Sequence, residues 1–258
     1  MILTGVPPFG PTSWSAEGAE PTPSGCGPTA ALMLLAYYDS RFGYARLVRS
    51  APEQAIVELH DRMNTLTIAW GGARQGLTDP FSFFGGLEAY VNARYPRGVT
   101  LESKLGTLED VFSTSVALIK ASKPHIILFD WRGETLLFPN HYAVVVGFRA
   151  EGGRKDLIIN PGWGYDFQIL DMTDPAVAPA ILFWIESWNV PPDGRPSGSI
   201  GPASVGSTCF LDEGGRWALQ PVLRQHFAPS HVEVWRPSDS VDFLVADEAV
   251  RIAACAWY

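Results

Sequence analysis

Cys26 stands in the run Ser24-Gly25-Cys26-Gly27-Pro28-Thr29, a setting that suits a reactive thiol. Thiolate is the reactive form of cysteine, and the positive end of a helix favours it. Pro28 fits a first helical turn, where its missing N–H has no intrahelical role. The residues from Ala30 to Tyr38 are almost all apolar, which predicts a central helix over 27–39, buried on every side. The same stretch also accommodates a small core cysteine packing a helix start. A thiol nucleophile needs a base for its proton and a third group to orient that base. His141 directly precedes the apolar run 142–148, at a strand start beside a loop. Asn160 ends the next strand and begins Asn160-Pro161-Gly162-Trp163. In a hairpin turning near Gly152, Asn160 is expected to return to the level of His141, where its carbonyl can hold the imidazole in one tautomer.

Other residues offer weaker chemistry. His125, after Pro124, reads as structural, with a fallback role as base. His60 beside Asp61 reads as a solvated helix face. His226 and His231 with Cys209 or Asp239 match no zinc spacing, so no metal site is expected. Asp130 and Glu134 flank a turn but form no better a carboxylate pair than others in an acidic chain. The Gly-Gly pairs at 71–72, 85–86, 152–153 and 214–215 lack the lysine and the strand-to-helix context of a phosphate loop. No cofactor is implied. Among the nine tryptophans, Trp163 can cover Asn160 from water, and Trp70 and Trp131 can line a substrate cleft; core packing is the alternative for each.

The elements that must position these groups follow from pattern. Residues 1–25, rich in Pro, Gly, Ser and Thr, read as an extended lead-in. After the central helix, a second runs from about Pro52 to Asn64 with Ala55, Ile56, Leu59 and Met63 on helical spacing. Residues 65–80 read as a Gly- and Thr-rich loop, 81–94 as a helix, and 107–122 as a helix with a capped start at Thr107. Strands are expected over 125–131, 142–148, 156–160 and 166–170. Helices first and strands second is the α+β pattern. The Pro- and Gly-rich stretch 189–199 reads as a linker, which divides the chain into a domain over 1–188 and a β-rich extension over 200–258 of unknown role. Short strand-like runs in that extension start at Cys209, Trp217, Val232, Val241 and Ile252.

The totals exclude several partners. The chain has 258 residues with 47% hydrophobic and 18% charged, enough for a substantial core. A net charge of -8 argues against nucleic acid and anionic membranes, both of which need a basic face. No apolar run reaches the roughly 18 residues of a spanning helix. The stretch Met1 to Thr12 has no basic region and no long apolar core, which predicts no secretory signal. Three cysteines make no disulfide framework; Cys209 and Cys255 could pair in an exported protein.

In its motifs the chain resembles the C39-like peptidases, a bacterial branch of the papain-like cysteine peptidases. The resemblance rests on Cys26-Gly27-Pro28-Thr29-Ala30-Ala31 with Tyr37-Tyr38-Asp39-Ser40 and Gly43-Tyr44, and on Met63-Asn64. It also rests on Gly85-Gly86-Leu87-Glu88-Ala89-Tyr90-Val91-Asn92, on Asn140-His141-Tyr142-Ala143-Val144-Val145-Val146-Gly147-Phe148, and on Ile159-Asn160-Pro161-Gly162. It covers about 6–172. The order Cys26, His141, Asn160, with separations of 115 and 134 residues from the cysteine, is that of papain-type enzymes, whose later members follow at about 130–150. The resemblance implies a papain-like α+β fold and thiol-dependent hydrolysis of a peptide or related amide by a Cys26–His141–Asn160 triad, with a peptide or protein substrate and an extracytoplasmic setting. Relatives often carry Asp where Asn160 stands. Papain-like enzymes also place a glutamine before the cysteine to donate to the oxyanion. Here the first glutamine is Gln54, so the upstream donor candidates are Trp14, Ser15, Thr22 and Ser24. A transglutaminase-like acyl transfer and a non-catalytic binding module are the alternative readings of the same framework.

Overall fold

The computed structural model describes residues 1–14, 20–48, 52–70, 73–130, 141–164, 167–178, 180–193, 209–211 and 217–219. Two compact units divide the chain, Met1–Gly201 and Pro202–Tyr258. The first is α+β. In chain order it runs β1 (Ser13–Trp14), β2 (Thr22–Pro23), α1 (Cys26–Phe42), α2 (Pro52–Arg62), β3 (Leu66–Trp70), β4 (Ala73–Leu77) and α3 (Pro80–Arg94). There follow β5 (Val99–Gly106), α4 (Leu108–Lys120), β6 (His125–Phe129), β7 (His141–Glu151), β8 (Arg154–Asn160), β9 (Gln168–Asp171) and β10 (Ala180–Trp188). Six strands form one antiparallel sheet in the order β5-β10-β6-β7-β8-β9. Of the second unit, a short antiparallel pair is described, β11 (Cys209–Leu211) with β12 (Trp217–Leu219). The strand-like runs starting at Val232, Val241 and Ile252 lie outside the described residues.

Helix α1 is the pillar of the first unit. Every residue from Gly27 to Ser40 is buried, as an all-apolar helix requires. It packs on β7 and β6. Gly43 closes it in the left-handed conformation at φ 82°, its N–H bonding back to Asp39 O at 3.0 Å. Helix α4 starts with a full capping box, Thr107 and Asp110 each bonding to the other's backbone. Its Val111, Phe112 and Ile119 join Ile127, Phe129, Ala143, Val145, Leu157 and Ile159 in one apolar core. These strand residues alternate along β6, β7 and β8, as one face of a pleated sheet must.

The structure differs from the sequence expectations in five places. The stretch 65–80 is not a loop: β3 and β4 pair from Leu66↔Leu77 to Trp70↔Ala73. Its β-branched and aromatic residues prevail over its glycines. Strands β5 and β10 were not anticipated, and β10 lies between β5 and β6 although it follows both by more than fifty residues. His60 is buried at 8% exposure rather than solvated, on the same side of α2 as Ile56 and Leu59. Residues 189–193 are no open linker. Asn189 N–H bonds to Gly98 O at 2.9 Å, and the Asp193 carboxylate accepts from Arg46 at 2.7 Å and from Tyr95 Oη. Asn160 pairs with Val144, not with His141. Among the described residues, no helix is long and apolar enough to cross a membrane.

Candidate active site

The N-terminus of α1 has no side-chain cap, because its N-cap residue is Gly25 at φ 79°. That conformation favours glycine, and the space around it demands one. A Cβ on Gly25 would lie 2.8 Å from Gly76 O on β4, and one on Gly27 would lie 2.9 Å from Thr78 Oγ1. The β3–β4 hairpin is therefore seated directly on the start of α1. Thr78 links the hairpin to the sheet: its carbonyl accepts from Tyr142 Oη at 3.2 Å, and its hydroxyl bonds Thr65 Oγ1 at 2.8 Å.

An uncapped first turn leaves its N–H groups for another acceptor. The backbone N–H groups of Tyr142, Cys26 and Gly27 lie near the Cys26 sulfur and pull towards its thiolate form. The Tyr142 N–H puts the thiol beside β7, and Tyr142 follows His141 in the chain. Strand β8 ends at Asn160, opposite Val144, so Tyr142 has no partner on β8. Cys26 keeps part of its surface open. Its sulfur is nevertheless poorly solvated, and burial pushes the thiol above its ordinary range against the pull of the three N–H groups.

His141 is 9% exposed. Its ring lies 5.1 Å from the Trp163 ring and 5.8 Å, edge on, from that of Phe129. This apolar cover disfavours the imidazolium and lowers the His141 pKa to about 4. Its Nε2 stands 3.0 Å from Pro161 O. A carbonyl only accepts, so Nε2 carries the proton and Nδ1 keeps the lone pair that a base needs. Asn160 is fully buried. Its Oδ1 accepts from Gly162 N–H at 3.2 Å, and its Nδ2 has no hydrogen-bond partner. An unpaired buried donor of this kind costs about 1–3 kcal/mol. Gly162, at φ 79°, lies against α1: a Cβ there would be 3.2 Å from Thr29 Cγ2. The turn after β8 thus packs on the cysteine's own helix.

The remaining sequence candidates fall as follows. Ser24 is fully buried and its Oγ is engaged, accepting from Thr12 N–H at 3.1 Å and bonding Thr29 Oγ1 at 3.2 Å. It ties the lead-in to α1. Thr22 lies in β2, paired with Trp14 in β1, and Trp70 lies in β3. Ser15, Trp131 and Glu134 lie outside the described residues, as do His226, His231, Asp239 and Cys255. His125 is buried at the far end of β6, with Nε2 2.9 Å from Ser115 Oγ and Nδ1 3.2 Å from Lys123 O. Its surroundings are those of a structural residue. No group of three or more His, Cys, Asp or Glu residues that could hold a metal ion occurs among the described residues. Two contributors had been missed in the sequence, the Tyr142 N–H and the Pro161 carbonyl. Both are main-chain groups, which no residue type can signal. Comparison with family models, with curated proteins and with solved structures returns no match for this chain.

Proposed function

We propose that this protein is a thiol-dependent hydrolase of the papain-like, C39-like kind, cleaving peptide or related amide bonds. The observation that carries the reading is the Tyr142 N–H near the Cys26 sulfur: Tyr142 directly follows His141 in the chain, and the Nδ1 of His141 is the basic nitrogen. The antiparallel sheet with a buried helix starting at the cysteine agrees with a papain-like arrangement. In the reaction, His141 Nδ1 takes the thiol proton as the sulfur attacks the amide carbonyl. The first-turn N–H groups of α1 receive the oxyanion. The imidazolium then protonates the departing amine, leaving a thioester. Water, deprotonated by His141, attacks the thioester and regenerates the thiol. Asn160 belongs to the turn that holds His141 in place.

With the thiol pushed up and the imidazole pushed down, the pair rests neutral, and the proton moves when substrate is bound. The neutral resting pair is also what a non-catalytic, peptide-binding member would show, and this is the second reading. A peptidyl vinyl sulfone distinguishes the two. Hydrolysis predicts a covalent adduct on Cys26, detected by mass spectrometry, whose rate falls by about 10²–10⁴-fold in His141→Ala. Labelling of Cys26 that is indifferent to His141 overturns the catalytic reading.

A further inference from the structure

On the catalytic reading above, we infer that the Pro161 main-chain carbonyl orients His141, and that Asn160 is a positioning residue that shapes the turn presenting it. Strand register decides the matter. Asn160 lies opposite Val144, three residues up the strand from His141. The chain past Asn160 is what descends to the imidazole, and Pro161 O meets Nε2 at 3.0 Å. The Asn160 side chain looks elsewhere: Oδ1 closes an Asx-type turn onto Gly162 N–H, and Nδ2 bonds nothing. That turn sets the direction of the carbonyl between them. Gly162, held against Thr29 of α1, anchors the turn to the helix that carries Cys26. Pro161 suits this arrangement because it has no N–H to compete and its φ is fixed.

The two possible roles of Asn160 separate on substitution. Serine can close the same turn through its hydroxyl, but it is too short to replace an amide acting directly on His141. The full chain, labelled with ¹⁵N-histidine, reports the His141 tautomer by NMR, with the His141→Ala spectrum giving the assignment. The expected result is that N160S and N160D both keep the Nε2–H tautomer, whereas N160A populates both tautomers. Cys26 labelling by the peptidyl vinyl sulfone should stay within about 10-fold of wild type in N160S and fall by about 100-fold in N160A, in the range of general-base contributions. If N160S loses the tautomer while N160D keeps it, Asn160 acts directly and the inference is overturned. That comparison stands even where N160A does not fold. If all three variants keep the tautomer, the turn does not depend on Asn160, which overturns its role equally. Failure of the catalytic reading looks different: wild-type labelling is then independent of His141, while the tautomer still reports the Pro161 bond.

Discussion

Gly25 and Gly76 meet main chain to main chain. A Cβ on Gly25 would stand 2.8 Å from Gly76 O, and one on Gly76 would stand 2.7 Å from Gly25 Cα. The residue before the cysteine is thus clamped by a hairpin fifty residues later in the chain, and the clamp tolerates no side chain on either partner.

Gly76→Ala should therefore push the hairpin off the start of α1. Overpacking of this kind costs about 1–3 kcal/mol, and Cys26 labelling should slow with it. Gly85→Ala is the control, since nothing lies within 4 Å of a Cβ there and Gly85 sits inside α3. That change should stabilise the helix by about 0.5–1 kcal/mol. Thermal melts and labelling rates of the two variants check both. Equal stability in the two would show that the clamp is unimportant.

Acid should unfold this protein by a defined route. His125 and His141 are both lowered to about 4 by burial, whereas in the unfolded chain they titrate near 6.5. Between these values the unfolded state binds more protons. Stability is therefore complete above pH 6.5 and is lost as pH falls towards 4, by on the order of 3 kcal/mol at most per histidine. Urea melts from pH 7.5 to 4 should show the decline, and His125→Gln should flatten it. A flat wild-type profile would show that the imidazoles are not held neutral.

Trp163→Ala should uncover His141. Without the ring 5.1 Å away, water reaches the imidazole and the His141 pKa rises from about 4 towards 6.5. Its NMR titration measures the shift. No movement would mean that Phe129 and the sheet supply the cover.

Asp193→Ala should loosen 189–193 without melting the domain. Asp193 holds this stretch through Arg46 and Tyr95. The expected result is faster cleavage near this stretch in limited proteolysis with a nearly unchanged melting temperature. Unchanged cleavage would assign the docking to Asn189, which bonds Gly98 and Arg97.

Sequence alone determined what local chemistry dictates. The run from Ala30 to Tyr38 has no polar face, so α1 had to be buried, and it is. Thr107 and Asp110 carry the signal of a capped helix start, and the box forms. The apolar strands β6 and β7 and the turn at Gly152 could be read directly, with β7 and β8 as an antiparallel hairpin. Cys26 at a helix start and His141 at a strand start follow from the same local patterns. The tertiary structure decided everything that depends on which distant segments meet. Strand β10 lies between β5 and β6 because non-local pairing fixes its place, which no local period encodes. The tight turn at Gly152 and Gly153 sets a β7–β8 register that leaves Asn160 opposite Val144, and a backbone carbonyl, not the Asn160 amide, reaches His141. A side chain announces its chemistry in the sequence. A main-chain N–H or C=O is the same at nearly every residue, and only the fold decides which of them face Cys26 and His141.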